Sequence, residues 1–180
     1  MQVKQWGPSL WIPIHCMTFN YNINPTEEDK KLYKNFFTLL GDMLPCKYCK
    51  ESYNIYIKYL PIDQYLDSRE GACYWLFTLH NLVNEKTFKP MANFVDVCIK
   101  YEKMRAKCGK VMHDDQEYQA CILQYNSVNM TEINNFVNKA IERYGKMTEE
   151  YIKKLRASPE NPKNSITTKN IKIKKYILVK

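Results

Sequence analysis

At 180 residues, 45% of them hydrophobic, the chain is long enough for one domain with a real core plus an appendage. Much of its formal charge of +8 sits in 159–180, where Lys163, Lys169, Lys172, Lys174, Lys175 and Lys180 meet only Glu160, so the basic balance is a tail property and nucleic acid is not an expected partner of the domain. No run is long and apolar enough to span a membrane, and Met1-Gln2-Val3-Lys4-Gln5 lacks the apolar core of a signal peptide, so neither a membrane partner nor secretion is expected.

Trp6-Gly7-Pro8-Ser9 is expected to open a first helix, with Trp11, Ile14, His15, Thr18 and Phe19 on one face and an end before Pro25. Pro25-Thr26-Glu27-Glu28-Asp29 starts a second, capped by Thr26, whose predicted buried stripe is Leu32, Phe36, Leu39, Leu40 and Met43. Pro45 is placed in the first turn of a third, where its missing N–H costs nothing. In that helix Cys49, Tyr53, Ile57 and Leu60 point inward, Cys46 lies nearer the open end, and Pro61 ends it. Asp67-Ser68-Arg69-Glu70 reads as a capping box with Asp67 as cap. The fourth helix carries Cys73, Leu76, Leu79, His80, Val83 and Asn84 and breaks at Lys89-Pro90; a fifth carries Phe94, Val97, Cys98 and Tyr101. No strand or hairpin signal appears from Trp6 to Tyr101, which predicts an all-α bundle.

Beyond Lys103, Lys107-Cys108-Gly109-Lys110 reads as a turn, and helices are expected around Glu117 to Gln124, from Thr131 (Ile133, Phe136, Val137, Ala140, Ile141 and Tyr144 inward) and from Thr148. Ile171-Lys172-Ile173 alternates briefly inside a tail expected to be disordered. The predicted organisation is a domain over 1–104, a helical C-terminal extension over 105–158 and a basic, flexible tail over 159–180.

Seven cysteines without a secretion signal point to metal, to redox work or to an oxidising compartment reached by another route. The informative pair is Cys46-Lys47-Tyr48-Cys49. Near a helix N-terminus, with Lys47 and Lys50 alongside, both thiols are expected to favour the thiolate. Zinc would need a second knuckle, haem a histidine where Lys50 stands, and a thioredoxin-like fold flanking strands, so no metal is expected and a thiol pair in a helical bundle remains. His80, Asn81 and Asn84 form a polar group on an otherwise apolar helix that needs partners, either a ligand or one another at a helix junction.

Trp6-Gly7-Pro8 with Trp11 and His15, then Leu44-Pro45-Cys46-x-x-Cys49, then Trp75-Leu76-Phe77-x-Leu79-His80-Asn81-x-Val83-Asn84, resemble in order and spacing the Erv/ALR family of FAD-dependent sulfhydryl oxidases over residues 6 to about 101. The resemblance implies a four-helix bundle plus a short fifth helix, a homodimer, and FAD at the mouth of the bundle. It assigns Cys46 and Cys49 as the catalytic pair, Trp6, Gly7, Pro8, Trp11 and His15 to an N-terminal flavin-contacting segment, and His80, Asn81, Val83 and Asn84 to a helix packed on the cofactor. Lys86, Lys89 and Lys100 match basic positions near FAD, and Tyr101 stands where relatives have tryptophan. The implied activity is oxidation of protein dithiols through Cys46 and Cys49 to FAD and then O2, giving H2O2.

Two departures stand out. The positions of a structural disulfide between the fourth and fifth helices are Phe77 and Phe94 here, while Cys73 and Cys98 are expected one turn away and close enough to bridge. Cys108 and Cys121 replace any second Cys-x-x-Cys, and a structural bridge between them is expected rather than an electron shuttle; Cys16 reads as a lone core thiol. Composition resembles members encoded by large cytoplasmic DNA viruses, implying the host cytoplasm or the virion, with the mitochondrial intermembrane space as the alternative. The competing readings are a non-enzymatic helical scaffold with structural cysteines and a basic partner- or nucleic-acid-binding tail, and a flavin-free dithiol exchange protein.

Overall fold

The computed structural model describes residues 2–105, 107–122 and 128–163; the stretch around Ile171 and most of the basic tail lie outside the described residues. Helices α1 (Val3–Phe19), α2 (Glu27–Met43), α3 (Lys47–Tyr59), α4 (Arg69–Lys86) and α5 (Phe94–Lys103) form the bundle, with a 3-10 turn (Ile62–Tyr65) before α4. A hairpin of β1 (Lys107–His113) and β2 (Gln116–Ile122) follows, then α6 (Met130–Ala140), a π-helical turn (Ile141–Gly145) and α7 (Lys146–Ala157). The bundle is the expected one. The hairpin replaces the expected turn at Lys107 to Lys110 and the expected helix around Glu117. The turn lies at Asp114 and Asp115, both at positive φ, which aspartate tolerates better than most residues.

The helix starts show how local chemistry sets the frame. Thr26 caps α2 in a reciprocal box with Asp29. Ser68, not Asp67, caps α4: its hydroxyl accepts the Gly71 N–H at 3.0 Å, while Asp67 pairs with Lys30 and Arg143. α1 begins at Val3, so Pro8 lies in its second turn, as Pro13 lies in its interior. Both prolines are exposed, as are Lys4 and Ser9, whose carbonyls they leave without an i−4 donor and which water can reach.

α2 corrects the expected stripe. Leu32, Leu39 and Met43 are 64%, 58% and 78% exposed; of the expected stripe Leu40 packs on the core, and Tyr33, Phe37 and Gly41 join it there. Both sets run at helical spacing, so periodicity alone does not choose between them. Close packing does. A Cβ on Gly41 would lie 2.5 Å from both Asn54 and Tyr53 of α3, and the freed space lets the Tyr53 hydroxyl donate to the Phe37 carbonyl at 2.7 Å. Tyr33 likewise reaches the Met17 carbonyl at 2.9 Å.

The main core centres on Trp75 of α4, which is fully buried, meets Phe37 edge-on at 4.9 Å and donates its indole N–H to the Leu60 carbonyl at 2.9 Å. A second cluster joins Phe19, Cys73, Phe94, Cys98 and Tyr101 to Ile133, Val137 and Ala140 of α6. Cys73 and Cys98 are buried free thiols there; burial pushes both up, Cys98 to about 12. Beside them the Phe77 and Phe94 rings pack 4.8 Å apart.

The C-terminal helices cover one side of the bundle. Tyr144 stacks on Tyr65 and bonds Ser68 at 2.9 Å, and Thr148 bonds the Tyr65 hydroxyl at 2.7 Å. Leu155 enters the main core, whereas Ile141, expected inward, is 49% exposed at the start of the π turn. Pairs such as Lys58–Glu160 lie at the exposed rim, where water and salt screen them, so the apolar inserts hold this layer.

Candidate active site

α2 ends at Met43 and α3 begins at Lys47, which leaves Pro45 just outside the helix and Cys46 as its N-cap. The Cys46 Sγ accepts the Cys49 N–H at 3.4 Å, and its carbonyl accepts the N–H groups of Cys49 and Lys50. The sulfur therefore occupies the place where a helix offers unpaired donors to an anion. Burial would raise the Cys46 pKa, but the Cys49 thiol, the N–H groups of Cys49 and Tyr48, and Lys86 together bring it below the ordinary thiol value.

Cys49 behaves oppositely. Burial pushes it up to about 12, and the hydrogen bond to Cys46 and the Cys46 charge add to this against Lys86. This corrects the expectation that both thiols favour the thiolate. When the pair carries a single proton, that proton sits on Cys49, directed at the Cys46 sulfur. Only Cys49 lines the adjoining cleft, whose walls are Trp6, Gly7, Trp11, Leu44, Val83 and Lys86, deepened by Leu10, Ile14 and Tyr53. Cys49, Trp6, Gly7, Trp11, Val83 and Lys86 thus meet at this cleft, with Cys46 hydrogen-bonded to Cys49 beside it.

Lys86 enters from α4. Its ammonium donates to the Ser52 hydroxyl and to the Tyr48 carbonyl at 3.4 Å, and burial lowers its pKa while the two cysteines partly restore it. Ser52 was missed in the sequence, although it lies one helical turn from Cys49. Lys86→Met is expected to shift the pH midpoint for iodoacetamide alkylation of Cys46 upward, because it removes a cation that favours the thiolate. An unchanged midpoint, followed by peptide mass spectrometry across pH 6 to 10, would sink this.

Behind Trp11 lies an aromatic stack. Trp11 and His80 are parallel at 3.8 Å, His15 Nε2 and His80 Nδ1 share a hydrogen bond at 3.2 Å, and His15 stacks on Tyr101 at 4.8 Å. Burial, then His80 and Lys100, lower His15 to about 3; burial, then Lys89 and Lys100, lower His80 to about 4. Both rings are neutral near pH 7. Nδ1 of His15 and Nε1 of Trp6 are buried with no hydrogen-bond partner among the described residues.

Other expected residues fall elsewhere. Pro8 is exposed and does not line the cleft. Lys89 and Lys100 are exposed and reach the stack as charges, Lys100 also lying 5.2 Å over the Tyr101 ring. Asn81 exchanges two hydrogen bonds with Ala92, at 3.0 and 2.8 Å, and accepts from Asn84 at 3.3 Å. These two asparagines are the satisfied cluster at a helix junction, pinning the loop between α4 and α5.

The profile of the Erv1 / Alr family matches residues 8–103. The chain is 38% identical over 104 residues to a probable FAD-linked sulfhydryl oxidase of Acanthamoeba polyphaga mimivirus, covering 57% of this chain and 73% of that protein. It is 33% identical over 91 residues to the mitochondrial FAD-linked sulfhydryl oxidase of Schizosaccharomyces pombe, covering 51% and 50%. Among solved structures, the FAD binding domain of Erv1 from Saccharomyces cerevisiae superposes with a TM-score of 0.54 at 28% identity, over 57% of this chain and 95% of that one.

Proposed function

Because the chain belongs to the Erv1 / Alr family, we propose that it is an FAD-linked thiol oxidase that makes disulfides in protein substrates, with Cys46 as the substrate-facing sulfur and Cys49 as the cofactor-facing one. The observation that carries this is the split between the two sulfurs: an activated Cys46 at a helix N-terminus and a protonated Cys49 in the wall of an apolar cleft.

The cleft suits a flavin nucleotide. Its walls are apolar, the partnerless nitrogens of Trp6 and His15 call for polar atoms of a ligand, and Lys86, Lys89 and Lys100 supply cations for a diphosphate. Trp6, Trp11, His15, His80 and Tyr101 are the side chains that would hold it. FAD, when bound, supplies the two-electron acceptor for the dithiol and hands those electrons to O2, giving H2O2.

The chain's own residues perform the exchange. A substrate thiolate attacks Cys46 of the oxidised pair, the Cys46–Cys49 bond breaks and Cys49 leaves as a thiolate. Cys46, now in a mixed disulfide, carries neither charge nor acceptor toward Cys49, so the influences raising Cys49 fall to burial alone, opposed by Lys86. The second substrate thiolate then attacks the mixed disulfide, releasing Cys46 and the substrate disulfide.

The visible spectrum of the purified protein tests the reading. A flavin band that bleaches anaerobically with a dithiol and returns with air is the expected result. A folded protein without the band would overturn the oxidase and favour the scaffold.

The protein is also read as a homodimer that buries the α2 stripe of Leu32, Phe36, Leu39 and Met43 left outside the core. Leu39→Glu with Met43→Glu should convert a dimer to a monomer in sedimentation without loss of helicity; a monomeric parent protein would remove this reading. The site of action is read as the host cytoplasm or the virion, on the likeness to the mimivirus protein.

A further inference from the structure

We propose that Cys108 and Cys121 form a structural disulfide across the β1–β2 hairpin, made by the chain's own redox pair. β1 and β2 pair without a bulge from His113 opposite Gln116 back to Lys107 opposite Ile122, and Cys108 is the register partner of Cys121. The connection is Asp114 and Asp115 alone, at φ 50° and 59°, the left-handed pair of a type I′ turn.

That turn sets the parity of the ladder. Residues flanking a two-residue loop of this type form a hydrogen-bonded pair, and hydrogen-bonded and non-hydrogen-bonded pairs alternate beyond it. Cys108 and Cys121 lie five steps from the His113–Gln116 pair, so they form a non-hydrogen-bonded pair on one face of the hairpin. Such pairs hold their Cα atoms about 4.5 Å apart, inside the range of roughly 4.4–6.8 Å that a disulfide accepts. A one-residue slip would oppose each cysteine to a residue that cannot bridge.

The hairpin also needs a closure. Its strands pack chiefly on each other, and an isolated two-stranded hairpin is marginal in water. The other cysteines are engaged elsewhere: Cys73 and Cys98 are buried in the second cluster, Cys16 packs against it, and Cys46 and Cys49 form the redox pair.

The oxidation balances through exchange and rests on the proposed oxidase for its oxidant. One hairpin thiolate attacks Cys46 of an oxidised Cys46–Cys49 pair and Cys49 leaves as a thiolate. The other hairpin thiolate attacks the hairpin sulfur of the mixed disulfide and Cys46 leaves. Two protons and two electrons pass from the hairpin, and the redox pair ends as a dithiol.

The test is peptide mapping of the full chain, purified in air and blocked with N-ethylmaleimide before any reductant. In the parent protein the Cys108 and Cys121 peptides should be linked. In a Cys46→Ser, Cys49→Ser variant both sulfurs should carry the label until a trace of parent protein is added, whereupon the link forms. Free hairpin thiols in a parent protein that oxidises a small dithiol would overturn the bond and leave the oxidase reading intact. A parent protein that oxidises no dithiol, yet forms the link with oxidised glutathione, would overturn both the oxidase reading and the self-oxidation step and support the register. Cys108→Ser with Cys121→Ser should keep full turnover of protein dithiols; its loss would make the pair a relay and overturn the structural role.

Discussion

Cys49→Ser is expected to reduce dithiol-driven oxygen uptake to the level without enzyme, and Cys46→Ser to do the same for a different reason. Without Cys49 no disulfide can form in the site, but Cys46 keeps its helix N-terminal donors and Lys86. It should attack an aromatic disulfide reagent rapidly near neutral pH, releasing one equivalent of coloured thiolate. Without Cys46, Cys49 loses the hydrogen bond and the charge that raise its pKa, so it falls from about 12, but burial still holds it above an ordinary thiol. Thiolate is the attacking species, so the rate at neutral pH should be much lower. Equal rates in the two variants would mean that the sulfurs are not differentiated, and the assignment of Cys46 as the substrate-facing one would fall.

Trp75→Ala should be the most damaging core change. The ring is fully buried, so its removal costs about 3–5 kcal/mol from lost burial and a residual cavity. The Leu60 carbonyl also loses its indole donor, which costs about 1–3 kcal/mol more if it stays buried and unpaired. Against a total stability of about 5–15 kcal/mol, the variant should be largely unfolded or have a urea midpoint far below the parent. Trp75→Phe, which keeps a ring against Phe37 and loses the donor, should lie between the two. A loss under about 1 kcal/mol for the alanine variant would show that the cluster repacks freely. The consequence reaches the site, because Trp75 ties α4 to the end of α3, which carries Cys49 and is capped by Cys46, and to Phe37 of α2, which precedes them.

Legibility followed the range of the interaction. Thr26 with Asp29 could be read locally because a cap joins residues three apart. The cap of α4 was legible only to within one residue, since Asp67 and Ser68 are both good caps and the ion pairs from Lys30 and Arg143 draw Asp67 outward. His80 and Asn81 are neighbours in sequence with different roles: His80 faces Trp11, while Asn81 meets Ala92 of a loop eleven residues on. The hairpin was missed because Gly109 resembles a turn, while the actual turn needs two aspartates to adopt positive φ together.

By itself, the sequence determined where the bundle helices lie and that a Cys-x-x-Cys pair opens the third of them. These follow from spacing, capping and proline placement, which act within a few residues. Only the tertiary structure decided which stripe of α2 is buried, since that turns on how closely Gly41 lets α3 approach. It also decided that Cys46 and Cys49 are unequal, because burial in a shared cleft and the Lys86 charge arriving from α4 act through space on groups three residues apart. Desolvation and packing sum over every neighbour in the folded chain, and a single strand of sequence does not contain that sum.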